Sequence, residues 1–110
     1  MKIGMFTANF LDRDLEAVFK LMVEHGYEAA ELPAFYGNSH LDIEEALKPG
    51  GAKKVKDLAK KYGLVISALS NHPEGQLVLG PHTKDTDSLY QGTPAEKIKF
   101  GMERMKKTAR

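Results

Sequence analysis

Three observations predict an α/β fold built on a parallel sheet. Three apolar or aromatic runs, residues 2–8, 27–32 and 64–70, have the length of strands. Helical periodicity fills the intervals between and after them. Polar, turn-forming residues gather in the segments leaving the strands, while the connections returning to them are short. Strands separated by full helices run parallel, because a helical crossover returns the chain to the same end of the sheet.

The first strand, within "KIGMFTA", leads to a helix on which Leu15, Val18, Phe19 and Met22 recur at i, i+3, i+4 and i+7, so that they share one face. Asp12 stands at the expected N-cap, Asp14 in the electropositive first turn, and His25-Gly26 closes the helix. The second strand, "YEAAEL", is followed by a short box of Asp42 and Glu45 that predicts a turn or two of helix before Pro49-Gly50-Gly51. Val55, Leu58, Ala59 and Tyr62 repeat the helical pattern, and Gly63 stops it. Lys53, Lys54, Lys56, Lys60 and Lys61 read as the solvated side of this helix. The third strand, "LVISALS", runs into "SNHPEGQ", read as a loop. Thr93, Pro94 and Glu96 form a capping box with proline at the first helical position, and Ile98, Met102, Met105 and Ala109 give the last helix its expected apolar stripe.

Ligands of parallel α/β folds bind outside the carboxyl ends of the strands. Thr7, Asn9 and Phe10 follow the first strand. Glu31 and Pro33 lead into "AFYGNSHLD", and Asn71 and His72 follow the third. His72 is a candidate binding group, against the plainer reading of a histidine capping backbone. Glu31 is a carboxylate within an apolar strand, where burial is costly without a partner; a solvent-facing edge residue is the alternative. His40 in "GNSH" is a weaker candidate, and His82 reads as an exposed turn. His25 reads as a cation at a helix C-terminus.

Composition excludes several classes. Sixteen basic and fifteen acidic residues leave a net charge of +1, which gives no electrostatic case for nucleic acid or an anionic membrane as partner. There is no cysteine, hence no disulfide frame, thiolate nucleophile or cysteine zinc site. No apolar run approaches the roughly 20 residues of a membrane helix, and the N-terminus lacks a signal-peptide layout. A soluble, cytoplasmic protein is expected. At 110 residues the chain is one domain or part of one. Three strand–helix units cannot close a barrel, so the expectation is an open sheet or the front of something larger, the second being favoured.

The segments "KIGMFT", "GYEAAEL", "GNSH", "ISALSNH" and "GTPAEK", in this order and spacing, resemble the N-terminal part of the sugar phosphate isomerase/epimerase family, the xylose-isomerase-like TIM barrels. The resemblance runs over nearly all of residues 1–110 but only about three of that family's eight units. It implies a partial (β/α)8 TIM barrel and a metal-dependent proton transfer beside a sugar carbonyl. The family's divalent metal (manganese, magnesium, cobalt or zinc) and its catalytic glutamates sit on later strands. None of the catalytic or metal-binding residues is therefore expected in this chain, nor a tightly bound metal. What carries over is a substrate-binding wall of Phe6, Glu31, Asn71 and His72, with Asn38 and His40 as weaker members. A sugar or polyol is the expected ligand, and self-association through open sheet edges is expected. A non-catalytic carbohydrate-binding or interaction fragment is the alternative. So is the related endonuclease IV branch, where a histidine placed like His72 binds zinc, although no basic groove for DNA is evident.

Overall fold

The computed structural model describes residues 1–110 as a mixed α/β chain with a three-stranded parallel sheet and six helices. The chain divides into two compact units, Met1–Ser70 and Asn71–Arg110. No helix is long and apolar enough to cross a membrane.

The first unit contains all three strands: β1 (Gly4–Phe6), β2 (Ala29–Pro33) and β3 (Val65–Ser70). The sheet order is β1-β2-β3, every pair parallel, with β2 central. β1 is shorter than its apolar run because Thr7–Phe10 turns into a 3-10 helix. Helix α1 (Leu15–Glu24) is capped by Asp14, whose Oδ1 accepts from the Ala17 amide at 2.7 Å; Asp12, expected to be the cap, lies outside the helix. The short α2 (Ile43–Ala46) is capped by Asp42, and α3 (Gly51–Lys61) ends at Gly63, whose φ of 69° needs no Cβ.

The two crossover helices cover one face of the sheet. Leu15, Val18, Phe19 and Met22 of α1 meet Ala30 and Leu32 of β2, Ala34 just after it, and Ala59 from α3; Leu64 and Ile43 are in the same cluster. Alternation along a strand sends Phe6, Ala29, Glu31 and Pro33 to the opposite face. Ser67 is an extra residue in β3, so that Ala30 pairs with Ile66 but Glu31 with Ala68. The Ser67 hydroxyl closes this bulge by donating to the Ala30 carbonyl at 3.2 Å. The bulge turns Ala68 onto the face that carries Glu31.

The second unit is helical: α4 (His72–Leu79), α5 (Lys84–Asp87) and α6 (Pro94–Thr108). Residues 72–79, expected as loop, form α4. The Thr93–Glu96 capping box is present in full, with Oγ1 accepting from the Glu96 amide and the Glu96 carboxylate accepting from the Thr93 amide. The expected apolar stripe of α6 is not its buried face. Lys97, Gly101 and Arg104 are buried, whereas Met102 and Met105 are each more than 40% exposed. Gly101 lies so close to α4 that an added Cβ would sit 2.7 Å from the Glu74 carbonyl oxygen. Only a residue without a side chain permits that approach. Arg104 and Glu74 bury as a pair, Nε on Oε1 at 3.4 Å, while the buried Lys97 ammonium reaches the half-exposed Asp87 carboxylate and, at 3.0 Å, Thr86 Oγ1.

Candidate functional site

The carboxyl edge of the sheet in the first unit is built from the ends of β1 and β2 and the segments that follow them. Phe6 and Glu31 are register partners on neighbouring strands, and Ala68 flanks Glu31 on the other side. Strands stand about 4.8 Å apart, so an aromatic ring, a carboxylate and a methyl group line up across the face. Phe6 and Glu31 are half-buried, and no cation of the chain pairs with the Glu31 carboxylate. An ionised carboxylate with accessible lone pairs is an acceptor for hydroxyl or ammonium hydrogen.

The segments leaving β1 and β2 are tied into one body. His40 is 4% exposed and bridges them: Nε2 donates to the Arg13 carbonyl at 3.0 Å, and Nδ1 accepts from the Thr7 hydroxyl at 3.0 Å. A carbonyl only accepts, which places the proton on Nε2 and leaves Nδ1 as the acceptor. The Ser39 hydroxyl donates to the Leu11 carbonyl at 3.2 Å. Asn38 braces its own loop from inside. Its Nδ2 donates to the carbonyls of Phe35 and Leu41, and its Oδ1 accepts from the amides of His40 and Leu41. The Ala34 amide donates to the Ser70 carbonyl at 2.8 Å and anchors the start of the loop to β3.

The six candidate residues therefore separate by what they offer. Glu31 and Phe6 present groups to the sheet face. Asn38 and His40 have their polar atoms engaged within the chain and act as braces. In the second unit, Asn71 stands at the N-cap of α4 but does not cap it; its Nδ2 donates to Thr108 Oγ1 at 3.0 Å, and its buried Oδ1 has no partner. His72 is the first residue of α4 and is exposed. His82, read as an exposed turn, folds back so that Nε2 donates to the Leu77 carbonyl at 2.7 Å. His25 Nδ1 donates to the Leu21 carbonyl at 2.9 Å, in keeping with a helix-end position.

Thr7 and Arg104 were not singled out as paired residues by the sequence. Periodicity carries no signal for Thr7, because its partner His40 is 33 positions away. For Arg104 the only trace is the spacing 97, 101, 104, 108, a second helical face opposite in character to the apolar one.

A cavity of about 560 Å³ lies elsewhere in the first unit, lined by Lys56, Ala59, Lys60, Gly63, Leu64 and Ile66 at the amino end of β3. Its lining is mostly aliphatic with two lysines, and it holds none of the candidate groups. No group of three or more histidine, aspartate or glutamate side chains is placed to hold a metal ion. Neither a protein-family model nor a curated protein matches this chain.

Proposed function

We propose that the chain supplies the substrate-binding wall of a sugar or sugar-phosphate isomerase or epimerase, as three consecutive units of a (β/α)8 TIM barrel. The observation that carries the reading is Glu31: a carboxylate at the middle of the central parallel strand, in register with Phe6 at the end of β1 and with Ala68 of β3, and not neutralised by a cation. The strand order β1-β2-β3 supports this reading, since in a barrel each unit adds beside the one before and sites form at the carboxyl ends. Phe6 would cover the C–H face of a polyol while Glu31 accepts from its hydroxyl groups, a mostly apolar wall with one polar anchor.

A divalent metal belongs to this class of enzyme, where it polarises the carbonyl and stabilises the charge of the enediolate. The residues of this chain do not fit such a metal. Glu31 is a lone carboxylate on its face, and both nitrogens of His40 are engaged. No step through a metal is derived from these residues, and the proton-moving groups are assigned to other parts of the enzyme. Intracellular sugar metabolism is the setting this reading implies. The open outer edges of β1 and β3 present unpaired backbone groups, so self-association through them follows from the same reading. Light scattering on the purified chain would show it as mass rising with concentration; a monomer at every concentration removes it.

Titration with D-xylose and D-fructose, followed by amide resonances, tests the binding role. Shifts are expected at Phe6, Glu31 and Ala68, and Glu31→Gln should weaken binding by about tenfold, the scale of one hydrogen bond to a charged group. Unperturbed resonances at all three positions would count against the proposal. Sugar interconversion by the isolated chain would instead show that catalytic groups are present in it.

A further inference from the structure

We infer that the cavity beside α3 is a binding site for a small amphiphilic anion, an unbranched apolar chain ending in a carboxylate. It lies at the amino end of β3, away from the carboxyl edge of the sheet, and does not depend on the sugar-binding reading. Its volume of about 560 Å³ falls within the roughly 300–1,000 Å³ of small-molecule sites. Lys56, Ala59 and Lys60, at i, i+3 and i+4 on α3, share one face and form one wall. Leu64 and Ile66, at the entry to β3, form the other. Between the walls stands Gly63, with open space where a Cβ would be. β3 is the last strand in the sheet order, so no further strand of this unit lies beyond it.

The charges of α3 point to the ligand's head. Lys53 is neutralised by Asp57 and Lys61 by Glu16. Lys56 and Lys60, the two that line the cavity, pair with no carboxylate of the chain. Like charges four residues apart on a helix are neighbours, and they destabilise it slightly. The fold therefore gains nothing from holding these two ammonium groups together. An anion at the cavity mouth would turn their mutual repulsion into attraction from both sides. The long stems of lysine add apolar surface to the wall while the charged ends stay in water.

The backbone and the floor narrow the class further. The amides of Tyr62, Gly63, Leu64 and Val65 all donate to carbonyls within the chain, so the turn beside the lysines offers no cradle of free N–H groups for a phosphate. Two compact ammonium charges on flexible stems suit a small, singly charged head instead. Beneath them, Ala59 and Leu64 belong to the apolar core and Ile66 packs against it. These side chains give hydroxyl groups no partner, and a buried polar group without one is costly. The body of the ligand is therefore apolar, and its affinity follows the apolar area it buries. A sugar does not meet these conditions, which separates this site from the face that carries Glu31.

The test titrates the full chain with octanoate, and with octanol as the uncharged probe of equal length, followed by amide resonances. Octanoate should shift Gly63, Leu64 and Ile66 and saturate. The double variant Lys56→Gln, Lys60→Gln should weaken octanoate about tenfold, two exposed charge pairs at roughly threefold each, and leave octanol within about twofold. Added salt should weaken octanoate alone. Lys54→Gln, on the same helix but outside the cavity lining, should change neither probe. Lys56 and Lys60 are exposed, so the melting temperature of the double variant should not fall, which reports that α3 is intact. Shifts absent at all three positions, or shifts that never saturate, overturn the site. So does an equal loss of octanoate and octanol in the double variant, or a Lys54→Gln effect as large as that of the pair. None of these results touches the reading of Glu31.

Discussion

The two units of this chain fill their interiors by opposite means. Met1–Ser70 buries aliphatic and aromatic side chains between a sheet and its crossover helices, with Val18, Phe19, Met22, Ala30 and Leu32 wholly out of water. Asn71–Arg110 buries Glu74, Thr86, Lys97 and Arg104 along its helix contacts, with Leu77 as its one fully buried large aliphatic residue. In the first unit the interior is non-directional, and stability tracks the area removed from water. In the second, every buried charge needs a partner in the right geometry, and the ion pair adds little over a well-packed apolar equivalent while being costly to break.

That contrast can be broken by substitution, and the largest effects come first. Phe19→Ala empties the centre of the first unit and should cost about 3–5 kcal/mol, the range for large aromatic truncations in a core. Arg104→Met removes the guanidinium facing the buried Glu74 carboxylate and should cost a comparable amount, about 3–5 kcal/mol. The two differ in rescue. Glu74→Leu combined with Arg104→Met should return to the wild-type stability or exceed it, whereas no second substitution in contact with Phe19→Ala removes a compensating penalty. Urea unfolding followed by circular dichroism reads all three. A double variant no more stable than Arg104→Met alone would mean that the second unit depends on the pair as such, and the contrast would lose its basis.

The same contrast explains which parts of the fold were legible in the sequence. Apolar periodicity reports interiors filled by hydrophobic burial, so the face of α1, the three strands and their parallel order were all readable before the structure. It fails where charges are buried. On α6 the pattern assigns Ile98, Met102 and Met105 to the interior, yet close approach at Gly101 and the pairs at Lys97 and Arg104 decide which side faces inward. Helix α4 was hidden for a different reason: Asn71, Pro73 and Gly75 are turn formers, and their local preference masks a helix of only eight residues. At the candidate site, Glu31 announced itself as a carboxylate in an apolar strand. The bracing role of His40 could not be read, because Thr7 and Arg13 come to it only through the fold.

The smallest expected effect is electrostatic and lies on the surface, where it sharpens the comparison through pH. Glu16 of α1 accepts from Lys61 Nζ and from the Tyr62 hydroxyl beside α3, joining the two crossover helices of the first unit. The hydrogen bond from Lys61, then that from Tyr62, holds the Glu16 carboxyl below its ordinary value of 4.5. A carboxyl lowered in the folded state contributes stability above its unfolded value and loses it as pH falls through the folded one. Glu96 of the second unit behaves alike, lowered first by the Thr93 amide and then by the Thr93 hydroxyl. The acid arm therefore touches both units. On the alkaline side, Lys61 is raised above 10.5 and Tyr62 above 10.0, each chiefly by its hydrogen bond to Glu16, and Lys48 is raised by Glu45. A group raised in the folded state contributes below its unfolded value and loses that contribution as pH rises through the folded one. All three lie in Met1–Ser70. Amide hydrogen exchange mapped along the chain should thus show weakening in both units below pH 4.5, and weakening centred on α1 and α3 above pH 10.5. Lys61→Ala should flatten the response of α1 at both ends, and added salt should shrink the Coulombic part of it, because exposed pairs are screened. Equal alkaline loss in both units, untouched by Lys61→Ala, would show that the Glu16 cluster does not carry the effect.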